Sequence, residues 1–268
     1  MINHLEKLLS LQDIDKLWEL HCELMSQYGF DRLIYAFTPF RTGAGLGRLE
    51  DTLILSNHDE PYLNEFLRGG LFMHAPMVRW TAENVGACSW SWVEERVRAG
   101  LLTPPELHVL DVNHRHGVHA GYSISFIDGS SRARAGIGLC AEPGLRQSDV
   151  DEIWERHGRE LMVVNAITHL RISTMPFVTA HRALTRRQRE VLEWVADGKT
   201  TADIAMLMGL TIATVEKHLR LAREALDVET TAQAVLKASL QRQIFFNRSY
   251  IDGASRSSAG NGDNFSFK

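Results

Sequence analysis

Lys217 and Arg220 stand three residues apart in TVEKHLR, so on a helix they share one face and can reach guanine edges or phosphates together. Glu216 and Arg223 flank them. Thr200, Thr201, Thr211 and Thr214 fall where two short helices would begin, a place where hydroxyls and free N–H groups suit phosphate oxygens. This is the chemistry of recognition. Catalysis has no comparable set: spacing supports neither a Ser–His–Asp arrangement nor a carboxylate pair, so an enzyme is not expected. Three histidines crowd NHRHGVHAG (His114, His116 and His119), yet no thiol or carboxylate stands beside them and they need not converge, so neither a metal nor a cofactor is expected. Cys22, Cys88 and Cys140 are odd in number and far apart, which matches no metal spacing and suits a reducing compartment.

The elements that must position these residues lie in LTRRQREVLEWVADGKTTADIAMLMGLTIATVEKHLRLAREALDV, residues 184–228. A first helix runs to Asp197 and stops at Gly198. Thr200 or Thr201 caps a second helix carrying Ile204, Ala205 and Leu207. Gly209 makes a tight turn and Thr211 opens a third helix. Val215, Leu219, Ala222 and Leu226 form its apolar stripe, leaving Glu216, Lys217, Arg220 and Arg223 on the outer face. That pattern is a helix-turn-helix whose third helix enters a major groove.

The LT opening, REVL (189–192), ADGKTTADIA (196–205) and TVEKHL (214–219) resemble the DNA-binding domain of LuxR/NarL-type transcription regulators, from Leu184 to about Phe246. The resemblance implies an all-α, four-helix domain that reads bases through positions matching Glu216, Lys217 and Arg220. It also implies a homodimer on a two-fold-symmetric site in double-stranded DNA. Two signature positions, Leu192 and Gly198, are kept; a third, an acid, falls on Gln188, which is expected to loosen a local polar contact.

Net charge divides along the 268 residues. Residues 1–173 carry −7, residues 174–246 carry +2 and the whole chain −4, which suggests two modules with different partners. The 44% apolar and 23% charged fractions are those of a globular protein. No apolar run reaches the roughly 18 residues of a membrane helix, and the first residues lack the marks of a signal peptide, so a cytoplasmic protein with no membrane partner is expected. In the first module, residues 4–28 read as one amphipathic helix and 30–40 and 51–57 as strands, with Pro39 and GAGLG (43–47) turning between them. Helices follow at 60–70, 91–100 and 103–117. Residues 121–128 and 132–142 form a hairpin, and a long helix over 147–173 is capped by Ser148. The sum is an α+β fold: an α–β–α sandwich with a mainly antiparallel sheet in residues 1–173, a linker at 174–183, the helical domain at 184–246, and a Ser/Gly/Asn-rich tail at 247–268 that reads as disordered.

A phosphoreceiver front end would need βα alternation and ordered acids, which are missing. The element order instead resembles the autoinducer-binding domain of quorum-sensing LuxR regulators, in which a ligand is buried between sheet and helices. The motif of that family places its aspartate–proline step on Ala75–Pro76, with Met77–Val78 after it, one tryptophan on Trp90, and a later glycine on Gly121. The tryptophan and tyrosine that bond the ligand carbonyls fall on Tyr62 and Phe66. Ala75 cannot accept the amide N–H of an acyl-homoserine lactone, and Phe66 drops a hydroxyl, whereas Tyr62 keeps a donor. His74 either turns inward to replace the acid or points to solvent. Two readings follow: a sensor of an acyl-homoserine-lactone-like or non-standard small signal molecule, or a ligand-independent regulator whose pocket is filled by Phe66, Met73, Met77 and Trp80.

Overall fold

The computed structural model describes residues 2–40, 48–179 and 183–246; the GAGLG turn and the 247–268 tail lie outside them. The chain divides into one compact unit of Met1–Leu11 and Lys16–Ser173 and a second of Gln12–Asp15 and Thr174 onward. No helix among the described residues is long and apolar enough to cross a membrane.

The first unit is built on five antiparallel strands, β1 (Phe30–Thr38), β2 (Leu53–Ser56), β3 (Gly86–Ser89), β4 (Gly121–Phe126) and β5 (Arg134–Ala141). Their order is β2-β1-β5-β4-β3. The sequence reading missed β3, whose four residues GACS carry little β-branched or aromatic signal. The expected single helix over 4–28 is two, α1 (Ile2–Ser10) and α2 (Ile14–Ser26). The hydroxyl of Ser10 donates to the Lys7 carbonyl at 2.8 Å, a local bond that competes with helix propagation. Helix α7 (Gln147–Thr174) already includes Ser148, so Ser148 is not its cap. Asp149, in the first turn, instead reaches back to accept the Arg146 N–H at 2.9 Å.

Strand alternation sends Leu33, Tyr35 and Phe37 to one face of the sheet and Ile34 and Ala36 to the other. The first face is closed by α2 and α7, whose polar groups mostly pair; among the described residues, Trp18 Nε1 and His169 Nε2 are exceptions. His21 of α2 bonds Asn165 Oδ1 at 3.0 Å and Thr168 Oγ1 at 3.1 Å, both on α7. The Tyr35 hydroxyl meets His169 Nδ1 at 2.9 Å, and the His169 ring stacks on Phe126 at 4.6 Å. Over the second face lie α3 (Glu60–Leu63), a π-helical turn (Asn64–Arg68), a 3-10 turn (Leu71–His74), α4 (Pro76–Glu83), α5 (Ser91–Arg98) and α6 (Pro104–Arg115).

The second unit holds α8 (Arg186–Ala196), α9 (Thr201–Met208), α10 (Ile212–Leu226) and α11 (Thr231–Leu240). Three of them open with a reciprocal capping box: Thr185/Gln188, Thr200/Asp203 and Thr230/Gln233. Gly209 adopts φ +64° in the α9–α10 turn, where a side chain would be strained. The core forms from Leu184, Leu192, Ala222 and Leu226 on one side and Val191, Ile204, Ala205 and Val215 on the other. Within the expected linker, the Phe177 N–H donates to the Gln241 carbonyl at 3.2 Å, so that stretch is tied to the helical unit.

Burial lowers the pKa of both His21 and His169 to about 4. The unfolded chain takes up these protons near pH 6.5, but the folded chain does so only near 4, so stability rises with pH across that window and is complete above it. Urea midpoints followed by tryptophan fluorescence should fall between pH 7 and pH 4.5, each histidine contributing about 1.4 kcal/mol per pH unit. A midpoint that stays constant over that range contradicts the buried-histidine assignment.

Candidate functional site

Between the second sheet face and α3–α6, the side chains leave a cavity of about 420 Å³, within the roughly 300–1,000 Å³ typical of small-molecule sites. Its floor is Ile34 and Ala36 of β1, Gly136, Gly138 and Cys140 of β5, and Ser123 of β4. Ala36 pairs with Gly136 and Ile34 with Gly138, so small residues meet at the first pair and a glycine lies under Ile34 at the second. A Cβ on Gly138 would stand 3.3 Å from Ile34 Cγ2, and one on Gly136 would stand 3.3 Å from Thr81 Cβ. Glycine at both positions holds the floor low.

The opposite wall is set by local geometry. The π-helical turn, marked by the Gly69 N–H reaching back to the Asn64 carbonyl at 2.8 Å, follows directly on α3. It brings Tyr62 and Phe66 side by side, with rings stacked at 5.2 Å. Arg32 fastens the turn after α6 to the sheet, donating to the carbonyls of His116, Gly117 and Ala141 at 3.0–3.1 Å. That clasp fixes Asn113 and Val118 in the wall.

Polar groups lining the interior are neutral and mostly bonded to one another. The Tyr62 hydroxyl donates to Asn113 Oδ1 at 3.1 Å, and the Trp90 indole N–H donates to Ser123 Oγ at 3.0 Å. The Thr81 hydroxyl donates to the Val78 carbonyl at 2.8 Å. His58 lies 4.7 Å from the Tyr62 ring; burial, aided by the Arg32 charge, lowers its pKa to about 4, so it is uncharged at neutral pH. Burial pushes the Tyr62 phenol up and the Cys140 thiol up to about 12.

Of the residues expected to bind ligand, Tyr62, Phe66, Ala75, Met77 and Trp90 line the cavity. His74 does not. Gly70 takes a left-handed φ of +76° and starts the 3-10 turn that leaves His74 exposed while Ala75 is buried, so His74 does not replace the missing acid. Gly121 also does not line it. A Cβ there would clash with the Leu139 carbonyl and stand 3.0 Å from the Trp90 ring, so Gly121 is the seat that lets Trp90 lie against β4. Met73 is 68% exposed, and Trp80 lies outside the cavity, so only Phe66 and Met77 of the expected filling set are in place. The three crowded histidines part company: His116 bonds Glu65 at 3.0 Å, while the His114 and His119 rings face each other at 5.2 Å.

In the helical unit Glu216, Lys217 and Arg220 are exposed on α10, and Arg220 pairs with Glu224 one turn on. Arg223 does not share that face: its Nη1 donates to Thr231 Oγ1 of α11 at 3.1 Å. The next helix takes up a cation that the helical spacing alone left free. Thr200 and Thr211 are the caps of α9 and α10, Thr201 is the first residue of α9, and Thr214 bonds the Thr211 hydroxyl at 2.8 Å. Gln188 loses nothing at its cap, since its side-chain oxygen accepts the Thr185 N–H at 2.7 Å as a carboxylate would. The sequence reading missed His58, Asn113, Ser123, Gly136 and Gly138. The alternate glycines of AGIGLC (135–140) were the one signal that could have shown a bare strand face.

A sheet-and-helix unit enclosing a small-molecule cavity, followed by a helix-turn-helix unit, defines a transcription regulator rather than an enzyme. Residues 13–172 match the family described as Autoinducer binding domain, and residues 182–238 match Bacterial regulatory proteins, luxR family. The chain belongs to the LuxR family of quorum-sensing transcription regulators. It is 22% identical to the transcriptional activator protein AnoR of Acinetobacter nosocomialis over 236 residues, covering 87% of this chain and 94% of that protein. Over 83 residues, 31% of this chain and 34% of that protein, it is 35% identical to the quorum sensing-dependent regulator RpaR of Rhodopseudomonas palustris. The solved structure of SdiA in complex with octanoyl-rac-glycerol shares the fold at a TM-score of 0.50 and 14% identity, covering 91% of this chain and 95% of that one.

Gly121→Ala drives a methyl into the Leu139 carbonyl and against the Trp90 ring, so both the β4–β5 pairing and the ring must shift. It should destabilise the first unit by about 1–3 kcal/mol and shift tryptophan emission, as overpacked positions do. Unchanged stability and emission would mean that Trp90 is not held by this contact.

Proposed function

We propose that this regulator acts as a homodimer in the cytoplasm, places two copies of α10 on a two-fold-symmetric DNA site, and responds to a largely apolar small molecule held in the N-terminal cavity. The observation that carries the sensing reading is the neutral, small-residue-floored cavity of about 420 Å³. A self-filled pocket is disfavoured because Met73 and Trp80 turn away from it and Phe66 lies stacked on Tyr62. Ala75 in the wall removes the acceptor that a ligand amide N–H would need, so the favoured ligand does not depend on such a bond. Ligand control requires unequal affinity for two states of the protein, such as folded dimer against dissociated chain.

Ala36→Trp sets a large ring over the cavity floor. A lipid extract of the native host should raise the Tm of the unaltered protein by about 2 °C or more and leave the Ala36→Trp protein, its fold checked by circular dichroism, unmoved. Equal shifts in the two proteins would place the ligand elsewhere. Lys217→Ala with Arg220→Ala should weaken binding to the chain's own promoter by about 10- to 100-fold and lower its salt dependence, read by fluorescence anisotropy. Arg223→Ala should instead lower the Tm of the helical unit, through loss of the Thr231 bond, and spare base preference. Full DNA affinity in the Lys217/Arg220 double variant would move recognition off α10.

A further inference from the structure

The cavity is neutral inside but charged at its mouth. Five of its lining residues are exposed: Glu94, Val97 and Arg98 on the outer part of α5, His114 near the end of α6, and His119 in the loop that follows. Every other lining residue is buried or half-buried. Four of these five are ionisable, and among the described lining residues no other Lys, Arg, Asp or Glu occurs. The opening therefore carries one acid against one arginine and two histidines. Arg98 forms no ion pair among the described residues, even though Glu94 stands four residues before it on the same helix. Arg32, behind the wall, is paired with Asp31 at 3.1 Å, which leaves Arg98 as the cation at the opening. Burial, then the charges of His114 and Arg32, lower the pKa of His119, so its ring is mostly uncharged at neutral pH and offers hydrogen bonds rather than charge.

Such a gradient orders an amphiphile. Aliphatic chain is favoured on the Ala36, Gly136 and Gly138 floor, where its CH₂ groups are removed from water. A head-group placed deep would meet neutral groups alone: the paired Tyr62–Asn113 and Trp90–Ser123, the hydroxyls of Thr52 and Thr81, and the uncharged His58. A carboxylate left at the mouth keeps part of its hydration and gains a forked guanidinium. The usual deep acid would have opposed a carboxylate; Ala75 removes that repulsion. We propose that the cavity takes an aliphatic carboxylate, chain inward and head outward, with Arg98 as the head-group contact and His114 and His119 beside it. The proposal rests on the sensing reading above and adds to it the ligand's class and direction.

The test uses the full chain and two probes below their micelle concentrations, dodecanoate and methyl dodecanoate, titrated by calorimetry at pH 7. The unaltered protein should bind the carboxylate about tenfold more tightly than the ester. Arg98→Gln, at an exposed site where folding is checked by circular dichroism, should close most of that gap by weakening the carboxylate alone. Added salt should likewise weaken the carboxylate and not the ester. If the ester binds as tightly as the carboxylate, or Arg98→Gln leaves the gap intact, the head-group assignment is overturned while the sensing cavity stands. If neither probe binds the unaltered protein, the head-group assignment fails. If Ala36→Trp, in addition, leaves the lipid-extract response unchanged, the cavity reading fails with it.

Discussion

A β-strand that carries glycine at alternate positions cannot fill the space above it. On this sheet Gly136 and Gly138 sit opposite Ala36 and Ile34, so two small residues meet at Ala36–Gly136 and Ile34 faces a bare glycine on the same face. The other face bears Leu33, Tyr35 and Phe37 and is closed by two helices. The contrast is stereochemical: alternation sends successive residues to opposite faces, so one strand can build a dense core and a cavity floor at once. The remaining features of the N-terminal unit serve that contrast. The π-helical turn sets Tyr62 beside Phe66, Gly121 gives Trp90 room to lie flat, and Arg32 clamps the turn after α6 to the sheet.

Charge follows the same division. Buried histidines on the closed face are neutral because burial disfavours their protonated forms, and both His21 nitrogens and His169 Nδ1 are used in bonds between α2, α7 and β1. Within the cavity the polar atoms largely pair with each other, which lowers the cost of burying them and leaves an apolar surface to a guest. Among the described lining residues, the acid and the arginine, Glu94 and Arg98, are both exposed. In the helical unit the priorities are reversed: cations stand in solvent on α10, and each helix start is closed by a threonine, so the exposed face is held by caps as much as by core.

Much of this was legible in the sequence because it is local. Caps, the left-handed Gly209 and the 215–219–222–226 stripe depend on residues within a few positions of each other, so the helix-turn-helix could be read with its boundaries. The hairpin of β4 and β5 announced itself by alternation and a turn. What failed was long-range or subtle. Arg223 was assigned to the outer face because α11 is not visible from α10; His74 stayed open because a single left-handed glycine decides which way its turn points. Gly121 was counted as a pocket residue, although its part is to make space for a ring 31 positions earlier in the chain. The four-residue β3 and the break between α1 and α2 lie below what periodicity can register.

The central claim is that the N-terminal unit is a binding site for a small, chain-bearing molecule with no need of a buried acid. It is tested most directly by purifying the protein from its native host under native conditions and identifying what denaturation releases by mass spectrometry. The account predicts a stoichiometric aliphatic compound, and its loss from the Ala36→Trp protein purified in the same way. A folded, DNA-binding protein that releases no such compound, or releases equal amounts with and without the blocking tryptophan, would contradict it.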